Sequence, residues 1–136
     1  MKFHTLLLIG ALVTVAPGPA FADFSFGAPM FAFNSAALDD RSRAILIDAA
    51  EVLRRYPDYK LKLYGSRGQL ESDSSISERR LSNAQVFLIK NGVPERRILV
   101  EDRGINAPVQ PSCSQAESPS DCDRYNRNIQ LQLVAP

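Results

Sequence analysis

Two positions at which a helix must end divide the chain into segments of alternating helix and strand, and this constrains its fold. Pro57 lacks the amide that a helix interior needs, and Asn91-Gly92 can take the left-handed conformation that ends a helix. Between them, Lys60–Tyr64 alternates polar and apolar residues, as a strand with one wet face does. Apolar residues before Pro57 recur on one helical face: Ile45, Ala49, Val52, Leu53 and Tyr56. The sequence therefore predicts helix, strand and helix in succession.

Local signals place the starts of these elements. Met30–Phe33 brings two phenylalanines to one side and predicts a short strand. Asp39 or Asp40 is predicted to cap the first helix, because a carboxylate there accepts hydrogen bonds from unpaired amides. Ser75 and Glu78 have the spacing of a capping box, which predicts the start of the second helix.

The last third of the chain predicts two further strands. Ile98–Val100 forms the first, Gly104–Tyr125 is a long loop, and Asn128–Val134 alternates as the final strand. We therefore predict an α+β fold in the order β-α-β-α-β-(loop)-β, with a mixed sheet and both helices on one face.

The first 22 residues are typical of a cleaved secretory signal. Leu6–Val15 is apolar but too short to span a bilayer, and Ala20-Phe21-Ala22 supplies small residues for cleavage. Pro17-Gly18-Pro19 argues against the alternative of an uncleaved anchor. The predicted division is a signal at 1–22, a flexible leader at 23–29 and one domain at 30–136.

Charge and histidine content exclude several functions. Loss of Lys2 with the signal leaves 15 basic and 15 acidic residues, so no net field draws the chain to nucleic acid. The single histidine, His4, lies within the signal. A Ser–His or Cys–His pair is therefore impossible in the mature chain, and we expect no enzyme, no metal site and no cofactor.

Cys113 and Cys122 are the only cysteines and predict a disulfide, because exported proteins with an even count usually pair them. Such a bond would stabilise the fold by roughly 2–3 kcal/mol. A zinc or redox pair is the alternative, which the Ser-, Pro- and Asp-rich segment between them disfavours.

Arg80 lies on the apolar face of the second predicted helix. That face also carries Ile76, Ala84 and Phe87. An arginine buried there needs a carboxylate, since an unpaired buried charge costs several kcal/mol. The partner is either an external ligand or an internal residue, and the internal candidates are Asp73, Glu71, Asp102 and Glu101.

Five segments in register resemble motifs of the OmpA-like C-terminal domain family. They are Phe31–Leu38, Ile76–Leu81, Gly92–Ile98, Gly104–Val109 and Asn126–Ile129. The resemblance extends from Phe31 to Leu133 and implies a periplasmic domain of a Gram-negative bacterium that binds peptidoglycan without catalysis.

In that family, the aspartate of a Gly-His-Thr-Asp motif and the last arginine of the helix motif hold the diaminopimelate of the stem peptide. The arginine corresponds to Arg80, but Ser66-Arg67-Gly68 follows Gly65 directly, and the aspartate is missing. Asp73, which stands where the motif usually has asparagine, is the possible substitute. The ligand-binding residues that the resemblance implies are Arg80, Arg127, Asp73, Ser77 and Asn126.

Two functions follow from this mixed pattern. The first is non-covalent binding of the stem peptide through Arg80 and Arg127. The second is a fold that has lost this ligand and serves as an accessory or structural subunit of an envelope assembly. An outer-membrane or other envelope protein would then hold the chain through its sheet edge, its long loop, or a leader carrying Phe24 and Phe26.

Overall fold

A computed structural model describes residues 25–106, 108–110 and 113–136. The predicted signal and the first two leader residues lie outside this range. In the rest of the leader, Pro29 is buried and its carbonyl accepts a hydrogen bond from the Ile129 amide at 2.9 Å. Phe26 is partly buried against the core. This part of the leader therefore packs onto the domain.

The first helix, α1, spans Asp40–Arg55. Asp39 is its N-cap and accepts a hydrogen bond from the Ser42 amide at 2.7 Å, as predicted. The helix stops before Pro57, also as predicted. Its buried side is centred on Leu46, Ala49 and Leu53, which turns the helix slightly from the predicted face.

The second helix, α2, spans Ile76–Lys90 and ends at Asn91, followed by Gly92 at φ +92°. The predicted capping box is wrong, because the Ser75 side chain makes no bond to the amides of the first turn. Its hydroxyl instead donates to Asp73 Oδ1 at 2.7 Å, and the same oxygen accepts the Ser75 amide at 2.9 Å. Asp73 thus engages the hydroxyl in a local turn before it can cap the helix.

Three strands form the sheet: β1 at Lys60–Ser66, β2 at Ile98–Gly104 and β3 at Ile129–Val134. Their spatial order is β2-β1-β3, with β2 parallel and β3 antiparallel to β1. The α+β class with a mixed sheet is therefore confirmed. The core between sheet and helices includes Leu46, Leu53, Leu61, Leu63, Leu88 and Ile129.

The predicted first strand is reduced to one antiparallel bridge between Met30 and Asn128. The chain leaves the sheet at a turn in which Asn34 takes φ +54° and its amide donates to Glu71 at 2.8 Å. The strand prediction was wrong because this polar contact turns the backbone away before a ladder can form.

The long loop is folded around the predicted disulfide, which joins Cys113 to Cys122. Between and after the cysteines lie a short helix, α3, at Pro119–Asp123 and a 3-10 turn at Arg124–Asn126. No helix in the described part of the chain is long and apolar enough to cross a membrane.

Candidate functional site

Arg80 is completely buried, as its place on the apolar face of α2 predicts. Its Nε donates to the Ser35 carbonyl at 2.8 Å and its Nη2 to the Ala32 carbonyl at 3.2 Å. The guanidinium lies 5.0 Å from the centre of the Phe31 ring. The segment that follows the Met30 bridge therefore covers Arg80 from one side.

Glu71 supplies the carboxylate that a buried Arg80 requires. Two parallel bonds join them, Nη1 to Oε1 at 2.7 Å and Nη2 to Oε2 at 2.5 Å, and both side chains have 0% exposure. Glu71 also accepts the Gly68 and Asn34 amides, each at 2.8 Å. Of the internal partners considered from the sequence, Glu71 is the one that the fold brings to Arg80.

The protonation of Glu71 follows from these contacts. Burial raises the pKa of Glu71, but the hydrogen bonds from Arg80 and from the Gly68 and Asn34 amides outweigh it. The net pKa lies below the ordinary value, so Glu71 is a carboxylate at neutral pH. The guanidinium and carboxylate thus neutralise one another inside the protein.

Asp73 lies outside this cluster. Its Oδ1 accepts both Ser75 groups, and its Oδ2 pairs with Arg79 at the surface. Hydrogen bonds from Ser75, assisted by the charge of Arg79, hold the pKa of Asp73 below its usual range. The structure therefore does not bring Asp73 to Arg80.

Ser77 and Asn126 are both buried and internally bonded. The Ser77 hydroxyl donates to Asp102 Oδ1 at 2.6 Å. Asn126 accepts the Gln110 amide at 2.8 Å and donates to the Gln110 carbonyl at 3.0 Å. Asn126 thus ties down the loop before the disulfide, while Ser77 joins α2 to β2.

Arg127 differs from Arg80 because no carboxylate of the described residues pairs with it. Only 8% of it is exposed, its Nε donates to the Phe31 carbonyl at 2.9 Å, and its buried Nη1 has no hydrogen-bond partner within the described ranges. The exposed Phe33 ring lies 5.9 Å from the guanidinium. Arg127 therefore retains hydrogen-bonding capacity for an anionic group.

Asp123 is a site residue that sequence reasoning missed. It is completely buried, and it accepts the Gln69 amide at 2.8 Å and the Leu70 amide at 3.0 Å. A Cβ added at Gly68 would lie 2.3 Å from Asp123 Oδ2. Asp123 thus fixes the turn that places Glu71 over Arg80, and Cys122 beside it is held by the disulfide. No pattern in the sequence joins residues this far apart.

The described residues contain no group of three metal-ligating side chains. The cluster around Arg80 is a closed ion pair with peptide hydrogen bonds. It can hold the turn after β1, the Phe31–Ser35 segment and α2 together.

Several solved structures share this fold. The peptidoglycan-associated lipoprotein from Burkholderia pseudomallei matches with TM-score 0.69 and 19% identity over 79% of this chain and 89% of that chain. The C-terminal domain of Helicobacter pylori MotB matches with TM-score 0.71 and 12% identity over 82% and 88%. The OmpA-like domain of FopA1 from Francisella tularensis matches with TM-score 0.64 and 14% identity over 79% and 71%.

At the level of sequence, no curated protein matches the chain. The OmpA family matches residues 30–120, which include the turn after β1, all of α2 and the disulfide-bonded Cys113. That match covers most of the chain and contains both members of the buried ion pair. The chain therefore belongs to the OmpA family.

Proposed function

We propose that this chain is a non-catalytic, periplasmic OmpA-like domain that serves as an accessory or structural subunit of an envelope assembly. The observation that carries the proposal is the buried Glu71–Arg80 pair, which occupies the arginine expected to hold diaminopimelate. A partner in the outer membrane or in an envelope complex would hold the domain there.

An external carboxylate gains little at Arg80. It would have to displace Glu71, which forms two bonds to Arg80 and two to backbone amides. The displaced Glu71 would be a buried and unpaired carboxylate unless the turn opened, and such a charge costs several kcal/mol. The exchange also replaces one carboxylate–guanidinium pair with another.

The ammonium group of diaminopimelate also lacks its partner. Where the family motif continues with His-Thr-Asp, Ser66 completes β1 and its amide donates to the Asn128 carbonyl at 3.0 Å. Asp73 is held by Ser75 and Arg79. Loss of an acceptor for a desolvated charge typically costs about 2–5 kcal/mol of binding free energy.

A second candidate function is weak binding of the peptidoglycan stem peptide, and Arg127 favours it. Its Nη1 is buried and bonded to nothing in the part of the chain that the structure describes, and a bound carboxylate would satisfy it. Family membership and the fold shared with a peptidoglycan-associated lipoprotein also support this candidate. Contact with the wall would then involve Arg127 rather than Arg80.

Co-sedimentation with diaminopimelate-type sacculi separates the two functions. The proteins compared are the chain from Asp23, its Arg127→Gln variant, a version with His-Thr-Asp inserted after Gly65, and Arg124→Gln, an exposed control. Circular dichroism verifies that each is folded. We expect the unmodified chain to stay in the supernatant.

Two results would contradict that expectation in different ways. Sedimentation that Arg127→Gln lowers and Arg124→Gln does not would favour the second candidate. Sedimentation that neither change lowers would show wall binding elsewhere on the domain. Sedimentation of the insertion variant alone would support the proposal, because it shows an intact fold whose ligand site was lost.

A further inference from the structure

Strand β2 lies at the edge of the sheet, and its outer side pairs with no strand of the described residues. It pairs with β1 from Ile98 to Gly104, and no other described strand adjoins it. Leu99 and Val100 are 38% and 48% exposed, which is high for apolar residues in a strand. An unpaired edge of this kind presents backbone donors and acceptors to a further strand.

A groove of about 390 Å³ runs beside this edge, between β2 and α2. Its lining residues are Glu78, Leu81, Ser82, Gln85, Val100 and Asp102. Leu81 is almost fully buried and supplies an apolar floor, while Val100 forms an apolar wall. A strand added to β2 would direct alternate side chains into this groove.

The groove carries negative charge that no cation among the described residues balances. Glu78 and Asp102 form no ion pair with any described residue. Asp102 accepts hydrogen bonds from Ser77 and from the Gly104 amide at its Oδ1 alone. The groove therefore selects a basic side chain next to an apolar one.

The opposite side of β2 is electrostatically satisfied. Glu101 pairs with Arg103 at 2.9 Å and with Lys62 at 3.5 Å, and Arg103 stacks on the Tyr64 ring at 3.8 Å. This polar network explains how that face of the sheet tolerates water. The face of β2 that borders the groove, where Glu78 lies, is therefore the face whose charge no described residue balances.

A second copy of this chain fits the edge poorly. Its own β2 would bring Asp102 and the neighbouring Glu78 to the same seam, where like charges face each other. The acidic residues thus disfavour self-association of the edge while they favour a basic strand.

We propose that the outer edge of β2 binds an extended segment of a partner protein as an additional strand, with a basic and an apolar side chain in the groove against α2. This proposal rests on the accessory function above, for which it names the docking surface and the chemistry of the partner.

Synthetic peptides provide the probe. The basic peptide alternates threonine with valine, lysine and valine, in that order, and carries a fluorescein label. In the matched control, glutamate replaces lysine. Fluorescence anisotropy should show saturable binding of the basic peptide and at least about tenfold weaker binding of the acidic one. No saturable binding of the basic peptide up to about 1 mM protein would overturn the proposal.

Variants of the protein locate the site. Glu78→Lys reverses an exposed groove charge and should weaken binding of the basic peptide about tenfold. Asp48→Lys makes the same change of net charge on the exposed side of α1, outside the groove, and should leave binding unchanged. Equal weakening by both variants would show non-specific attraction and contradict the proposal.

Backbone pairing has its own test. Two versions of the basic peptide carry N-methyl groups at odd or at even positions, so each loses the amides on one edge. Strand addition predicts that one version loses binding and the other keeps it. Equal behaviour of the two would exclude an added strand. None of these results depends on sacculi. If the peptides do not bind, the proposed closure of Arg80 still stands. If the domain binds sacculi, the peptide experiments still test the edge of β2 separately.

Discussion

Glu71 and Arg80 form a two-bond ion pair in which neither side chain reaches solvent. They lie nine positions apart in the sequence, and the intervening turn and first turn of α2 bring them face to face. Asn34 and Gly68 contribute their amides to the same carboxylate. The arginine to which the resemblance assigns the wall ligand thus fastens three segments of its own chain.

Removing Arg80 should be strongly destabilising. Arg80→Ala leaves the carboxylate of Glu71 buried without its cation, and we expect the free energy of unfolding to fall by about 3–5 kcal/mol. Arg79→Ala, which removes a neighbouring surface ion pair, should cost under about 1 kcal/mol. Urea unfolding measures both, and equal costs would contradict the structural role of Arg80.

Acid should weaken the fold through Glu71. Its pKa is lowered in the folded protein, so its contribution is complete above the unfolded pKa of about 4.3 and is lost as the pH falls through the folded value. Urea unfolding from pH 7 to pH 3 should therefore show a steeper fall for the unmodified protein than for Glu71→Gln. If the free energy of unfolding fell equally with pH in both proteins, the lowered pKa of Glu71 in the folded protein would be contradicted.

The structure shows which parts of this arrangement the sequence could predict. The inward position of Arg80 followed from helical spacing, the Asp39 cap from its position before the helix, and the disulfide from cysteine count and context. Such features depend on local chemistry or on simple topology.

Other features depended on the path of the chain. Four carboxylates were candidate partners for Arg80 from the sequence, and only the fold of the turn after β1 selects Glu71. The Ser75 capping box failed because Asp73 competes for the same hydroxyl. The contact of Asp123 with the Gln69 amide spans 54 positions, beyond any local pattern.

Gly68 and Asp123 should be coupled. Gly68→Ala places a Cβ 2.3 Å from Asp123 Oδ2, so we expect it to destabilise the fold by roughly 1–3 kcal/mol. Asp123→Ala removes two bonds to backbone amides and should cost about 2–4 kcal/mol. A double-mutant cycle by urea unfolding should show that Gly68→Ala costs less when Asp123 is absent. Additive effects would show that the turn relaxes without meeting Asp123.

The disulfide should stabilise the long loop. Replacement of Cys113 and Cys122 together by serine should lower the free energy of unfolding by roughly 2–3 kcal/mol. The amides of Gln69 and Leu70 should then exchange faster, because Asp123 adjoins Cys122 and holds both. Hydrogen exchange followed by NMR checks this, and unchanged exchange at those two amides would contradict the link.

The most direct test of a closed Arg80 site follows the side-chain Nε–H of Arg80 by NMR while free meso-diaminopimelate is added. The buried pair predicts a proton protected from exchange with water and a resonance that does not move as ligand is added. A saturable shift of that resonance, absent in a titration with lysine, would show that an external carboxylate reaches Arg80 and would contradict the account.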